Sequence, residues 1–234
     1  MGSALIRDDG YDLAKILACA AMLMNHCTFH VPELWVPGYM IARFVMPVFA
    51  FILVSRLMVN PASRGPRLQR NLLLWGIPSQ ALYMYFNRAD PFSTNMLWDL
   101  WVGVALIRIN QAHGLNSRWK LIVPAVLAAV FLNPWLQYTA FLPVGMLLSS
   151  ALVRKREGLA LVVLLVFALL ANRCCERPVL DNLLIVPMAL LAVPVLWLSR
   201  KLSAVTPRLS KEFFYFFYPF TYVAAIMVDV AMKR

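Results

Sequence analysis

The chain has 234 residues, 62% of them apolar and 14% charged, with a mean hydropathy of +0.70. Soluble domains average about 45–50% apolar and about 25% charged. An ordinary cytoplasmic enzyme and a disordered tail are both excluded, and the expected class is an all-α polytopic membrane protein. The net charge is +11, from 22 Lys and Arg against 11 Asp and Glu, and its meaning depends on where those charges fall relative to a bilayer.

The first twelve residues are polar. The apolar run after them lacks a small-residue cleavage pattern, so the first helix is expected to stay as an anchor. Apolar stretches then follow one another between charge clusters and Pro or Asn breaks. They are Leu13–Phe29, Gly38–Leu57, Asn71–Phe86, Asn95–Ile107, Leu121–Leu132, Thr139–Val153, Gly158–Ala171, Leu183–Leu198 and Phe213–Ala231. A spanning helix needs about 20 such residues. Because the fourth and fifth stretches are short, the count is eight to ten, with nine the central value. None alternates with period two as barrel strands do. No linker or repeat divides them, so residues 1–234 are read as one integral membrane domain.

The basic residues alternate between loops. Arg56, Arg64, Arg67 and Arg70 follow the second stretch, and Arg108, Arg118 and Lys120 the fourth. Arg154, Lys155 and Arg156 follow the sixth, and Arg200, Lys201, Arg208 and Lys211 the eighth. These loops hold 14 of the 22 Lys and Arg, whereas the alternate loops hold only Arg88, Arg173 and Arg177. The positive-inside rule makes the rich loops cytoplasmic, and parity then places the N-terminus inside and the C-terminus outside. Most of the charge is thereby read as orientation. No basic domain stands apart from these loops, so nucleic acid is not an expected partner. Membrane lipids are.

Cys19 and Cys27 lie in apolar sequence, where small buried hydrophobes are the expected role. Cys174 and Cys175 are adjacent and read as free thiols. There is no CxxC spacing, and His26 with His30 lacks a carboxylate partner, so no metal is expected.

Ionisable groups at membrane depth are costly and are functional candidates by default. The first helix carries Asp12, Lys15, Asn25 and His26. Eleven residues separate Lys15 from His26, which leaves them within about 20° on one helical face and about 16 Å apart. Lys15 falls near the inner end and His26 near the outer end. Arg43, Asp99 and Asp229 are expected in the same outer layer as His26. Packing explanations exist for each: a satisfied core histidine, a structural Arg43–Asp99 pair, and a snorkelling lysine. Tyr215, Tyr218 and Tyr222 either line a cavity or pack around Pro219.

Several motifs resemble one family in order along nearly the whole chain. "YDLAKILACAAMLMNHC" resembles the first helix of the TraX family, the conjugal pilin acetylases, and "IARFVMPVFAFILV" its second. "LQRNLLLWGIPSQALY" is similar at Arg70, Ser79 and Gln80, "NMLWDLWVGVAL" at Asn95 and Gly103, and "FFYFFYP" at Tyr218 and Pro219. Asn25, Asp99 and Thr221 depart from residues usual in the family, respectively Asp, Thr and His. Lys15-x10-His26 also fits the basic-x10-His pattern of the wider transmembrane acyltransferases. The resemblance implies acetyl transfer from acetyl-CoA to a pilin N-terminal amine at the bacterial inner membrane. His26 would be the general base, with Asn25, Arg43 and Asp99 beside it. Lys15, Arg70, Ser79, Gln80, Asn95 and Tyr218 would serve the donor. The alternatives are a non-catalytic pilin assembly factor, and an O-acetyltransferase or transporter acting on a glycan.

Overall fold

The computed structural model describes residues 10–29, 31, 33–87, 94–112, 118–133, 136, 139–174, 181–208 and 210–233. His30, Arg88, His113, Cys175 and Arg177 lie outside them. All regular structure among the described residues is helical: α1 (Asp12–Thr28), α2 (Trp35–Ile41), α3 (Val45–Val59), α4 (Pro61–Asn87), α5 (Met96–Ala112), α6 (Arg118–Phe131), α7 (Phe141–Leu152), α8 (Glu157–Cys174), α9 (Asp181–Leu190), α10 (Ala192–Lys201) and α11 (Lys211–Met232). Every apolar stretch of the sequence maps onto a helix or a broken pair. The second becomes α2, a 3-10 turn at Ala42–Phe44, and α3. The interruption follows from Pro47, which has no N–H for the Arg43 carbonyl. The eighth becomes α9 and α10, broken at Leu191, where Pro194 leaves the Leu190 carbonyl without its donor.

The helix α3 is the axis. It is apolar around its whole circumference, the pattern of a helix buried on every side, and Val48, Ala50, Val54 and Leu57 are fully buried. Around it, α1 packs on α11, α11 on α4, α4 on α5, α5 on α7, and α7 on α8. From α8 the ring returns through α9 and α10 to α1, and α6 lies outside against α7. The face of α1 toward this core is lined by Ala14, Ala18 and Ala21, all buried. Small residues there let the helices approach closely.

Outward stripes remain apolar. On α8, Val162, Val166 and Leu170 are exposed at four-residue spacing, and on α11 Phe216, Phe220, Val223 and Met227 are exposed at three- and four-residue steps. Apolar surface of this extent points to a lipid environment. By length and composition, Trp35–Val59 and Phe213–Met232 are each sufficient to cross a bilayer.

The basic loops gather at one end. Arg154 donates through Nε to the Met58 carbonyl at 2.8 Å, closing the end of α3. Arg108 on α5 donates to Gln69 on α4. Arg200 of α10 donates to Glu157 and to the Tyr11 hydroxyl, and Tyr11 donates to Glu157 at 3.0 Å. Burial, and then the neighbouring carboxylate, push the Tyr11 phenol well above its usual range, so it stays a donor. Tyr11 gives α1 no side-chain cap. Ser199 from α10 does so instead: its hydroxyl accepts from the Ala14 amide at 3.1 Å and donates to the Gly10 carbonyl at 3.0 Å. An otherwise orphaned first-turn N–H is thereby satisfied from a distant helix. The start of α1 therefore shares an end with residues of the basic loops.

Candidate active site

His26 lies in the last turns of α1, against the middle of α11. Its Nδ1 is 2.8 Å from Thr221 Oγ1. The Thr221 hydroxyl donates its single proton to the Tyr218 carbonyl at 2.7 Å, a local back-bond common for Thr in helices. A hydroxyl that donates there meets Nδ1 as an acceptor. The imidazole stacks on Tyr222 at 4.2 Å between centroids, with Phe86 at 6.0 Å and Tyr218 at 6.4 Å. The Tyr218 and Tyr222 hydroxyls are 3.0 Å apart. The spacing that makes this possible is local to α11: positions 218, 221 and 222 share one helical face.

Lys15 is at the other end of the same face of α1. Its ammonium is 2.5 Å from Asp12, and both side chains are buried. It also lies 4.9 Å from the Phe214 ring centroid. Lys15 borders a cavity of about 80 Å³ walled by apolar side chains of α3, α4 and α5, among them Leu53, Leu72 and Leu100. That cavity reaches Met22 and Tyr218. Met22 is one turn short of His26, and the Tyr218 ring stands edge-on to the imidazole. At its other end the cavity shares Arg56, Leu68 and Tyr215 with a wider cleft of about 880 Å³. Arg56, Arg64, Arg67 and Arg70 line the cleft, together with Asn71 and Trp75. A polar, basic vestibule thus adjoins an apolar cavity that extends to Met22 and Tyr218.

The remaining sequence candidates fall elsewhere. Asn95 caps α5 by accepting from the Leu97 amide at 2.9 Å, and its amide nitrogen donates to the Gly76 carbonyl at 3.2 Å and to Gln80 at 3.0 Å. Gln80 also accepts from the Asn95 backbone N–H at 2.9 Å. Ser79 is fully buried and donates back to the Trp75 carbonyl at 2.6 Å. Asn95 and Gln80 hold α4 against α5, and the Ser79 bond is internal to α4. Asp99 is fully buried, but α5 begins at the level of Gly76 and Gln80, about two turns before Phe86. Asp99 is therefore deeper than His26, not in its layer. Counting from the first apolar residue misplaces it because Thr94 and Asn95 run non-helically before the helix starts. Arg43 is buried, donates to the Tyr39 carbonyl at 2.9 Å, and lies 3.6 Å from the Tyr39 ring centroid. Asn25 is half-buried, and its Oδ1 accepts no hydrogen bond from the described residues. Asp229 is 2.5 Å from Lys233 on its own helix.

The family model for TraX protein matches residues 10–229. The chain belongs to the TraX family. The match spans the whole helical ring, so the motifs read along this TraX chain belong to one arrangement. No curated protein and no solved structure matches it. Two features of the site escape a reading by motif. Of the arginines of the cleft, only Arg70 enters the sequence reading as a donor residue; Arg56, Arg64 and Arg67 register as orientation charges. Thr221 registers only as a departure from the family pattern, yet it is the residue bonded to His26.

Proposed function

We propose that this TraX protein is a multi-pass inner-membrane acetyltransferase, with its basic end in the cytoplasm. It would move an acetyl group from acetyl-CoA to the N-terminal amine of a conjugative pilin. Family membership suggests a role in conjugative pilin processing. The observation that carries the chemical reading is the arginine cleft adjoining an apolar cavity that reaches Met22 and Tyr218, both neighbours of His26.

The arginines would receive the anionic nucleotide part of the donor, with charge-assisted bonds to its phosphates. The apolar passage suits the slender arm that carries the thioester, and it keeps water from the reacting bond. Because Lys15 is already paired with Asp12, its role is in the wall of the passage, and the anchor shifts to Arg56, Arg64, Arg67 and Arg70. At the far end, the acceptor amine attacks the thioester carbonyl carbon and forms the C–N bond. His26 Nε2 takes the amine proton as general base. The tetrahedral intermediate collapses with cleavage of the C–S bond, and the imidazolium returns the proton to the leaving thiolate. Asn25, next to His26 on α1, is the candidate to stabilise the oxyanion, while Arg43 is held against Tyr39. Asp99, given its depth, would act on packing and not on the imidazole.

The test is transfer of acetyl from acetyl-CoA to a pilin N-terminal peptide by purified protein. His26→Ala should insert normally and lose transfer by about 100-fold or more. Retained transfer by that variant would exclude His26 as the base.

A further inference from the structure

We infer that Thr221 is a positioning residue that holds His26 in the tautomer a general base needs. The inference rests on the reading of His26 as base, but its observable is independent of activity. A neutral imidazole acts as a base only through the nitrogen that lacks the proton. An unconstrained histidine side chain favours the proton on Nε2, which would leave Nδ1 as the acceptor. Here the chain reverses that preference. Thr221 has one hydroxyl proton and commits it to the Tyr218 carbonyl at 2.7 Å. The oxygen then presents only lone pairs to Nδ1 at 2.8 Å, so the imidazole proton is held on Nδ1.

Two further contacts, and the burial of Thr221, fix the geometry. Tyr222 stacks on the ring at 4.2 Å and 22°, which sets its plane. Tyr222 is in turn bonded through its hydroxyl to Tyr218 at 3.0 Å, and both tyrosines are buried. Thr221 itself is fully buried, so no solvent competes for its hydroxyl. The device sits on one face of α11: the carbonyl of residue 218, the hydroxyl of residue 221 and the ring of residue 222 all act on one imidazole. A carboxylate partner for the histidine, in the manner of a hydrolase triad, is not needed. A neutral acceptor orients the ring without adding a second buried charge to the membrane interior, where charge is costly.

The experiment is magic-angle-spinning NMR of the full-length protein in lipid, with ¹⁵N-labelled histidine. The His26 signals are assigned by their loss in His26→Gln. Wild-type protein should show Nδ1 protonated and Nε2 unprotonated at neutral pH. Thr221→Val, nearly isosteric, should move His26 toward the Nε2-protonated form and lower kcat by about 10-fold, the weight of one hydrogen bond. The KM for acetyl-CoA should stay within about 2-fold, because the donor anchor is distant. Thr221→Ser, which keeps the hydroxyl, should restore both the signature and kcat. A wild-type His26 with its proton on Nε2 would overturn the inference, as would a Thr221→Val protein with unchanged signature and kcat. Neither result would by itself remove His26 as the base, which the His26→Ala assay decides.

Discussion

The buried ion pair of α1 offers a quantitative test of how this bundle tolerates charge. Lys15 and Asp12 are 2.5 Å apart, with side chains 4% and 7% exposed. Burial at that level leaves little water to screen either partner, so removing one strands the other. Lys15→Met should destabilise the protein by about 3–5 kcal/mol, the usual cost of an uncompensated buried charge. Asp12→Asn leaves an ammonium instead, and that ammonium keeps the Phe214 ring at 4.9 Å. A cation–π contact returns about 1–2 kcal/mol. Asp12 also sits in the first turn of α1, where its charge is worth about 0.3–1 kcal/mol against the helix dipole. The first correction exceeds the second by about 1 kcal/mol, so Asp12→Asn should cost about 2–4 kcal/mol. The double variant removes both charges together and should fall within about 1 kcal/mol of wild type. Equilibrium unfolding in mixed micelles of dodecyl maltoside and SDS, followed by ellipticity, gives all four corners of the cycle. A single variant that loses under 1 kcal/mol, or a double variant that loses the sum of the two, would refute the reasoning.

Other predictions address the donor route and the orientation. Arg64→Gln with Arg67→Gln should raise the KM for acetyl-CoA by about 10-fold or more and leave kcat within about 2-fold, since two charge-assisted contacts are removed far from the reacting atoms; unchanged KM would take the donor out of the cleft. Leu53→Trp should fill the apolar passage and abolish transfer in protein that still elutes as a monodisperse species, at a packing cost of about 1–3 kcal/mol. Normal transfer by that variant would rule out passage of the donor arm. In a cysteine-free background, Lys233→Cys should react with an impermeant maleimide on intact spheroplasts, and Lys155→Cys only after permeabilisation. The reverse pattern would invert the proposed orientation.

The helices were legible because hydropathy marks where chain can be buried, but their ends were not. Pro61–Arg70 is helical although its charges read as a loop, since Ala, Arg, Leu and Gln favour helix whatever their polarity and Pro61 is tolerated in a first turn. Thus α4 starts ten residues before the apolar stretch it contains. The common face of Lys15 and His26 was readable from periodicity alone, because both lie on one unbroken helix. What crosses between helices was not. Ser199 capping α1, and the seating of Asn95 on Gly76 and Gln80, depend on tertiary neighbours 185 and about 15–19 residues away in sequence. Thr221 is the clearest case. A Thr after a Pro in an aromatic run carries no chemical signature until α11 is laid against α1, and then its hydroxyl is the one group on His26 Nδ1.

The central claim is that His26 transfers a proton during acetylation of a pilin N-terminus. Intact-mass analysis of pilin from cells carrying wild-type protein, His26→Ala, or neither tests it most directly. The pilin N-terminus should gain the mass of one acetyl group with wild type only. Equal acetylation with His26→Ala, or unmodified pilin alongside well-inserted wild-type protein, would contradict it.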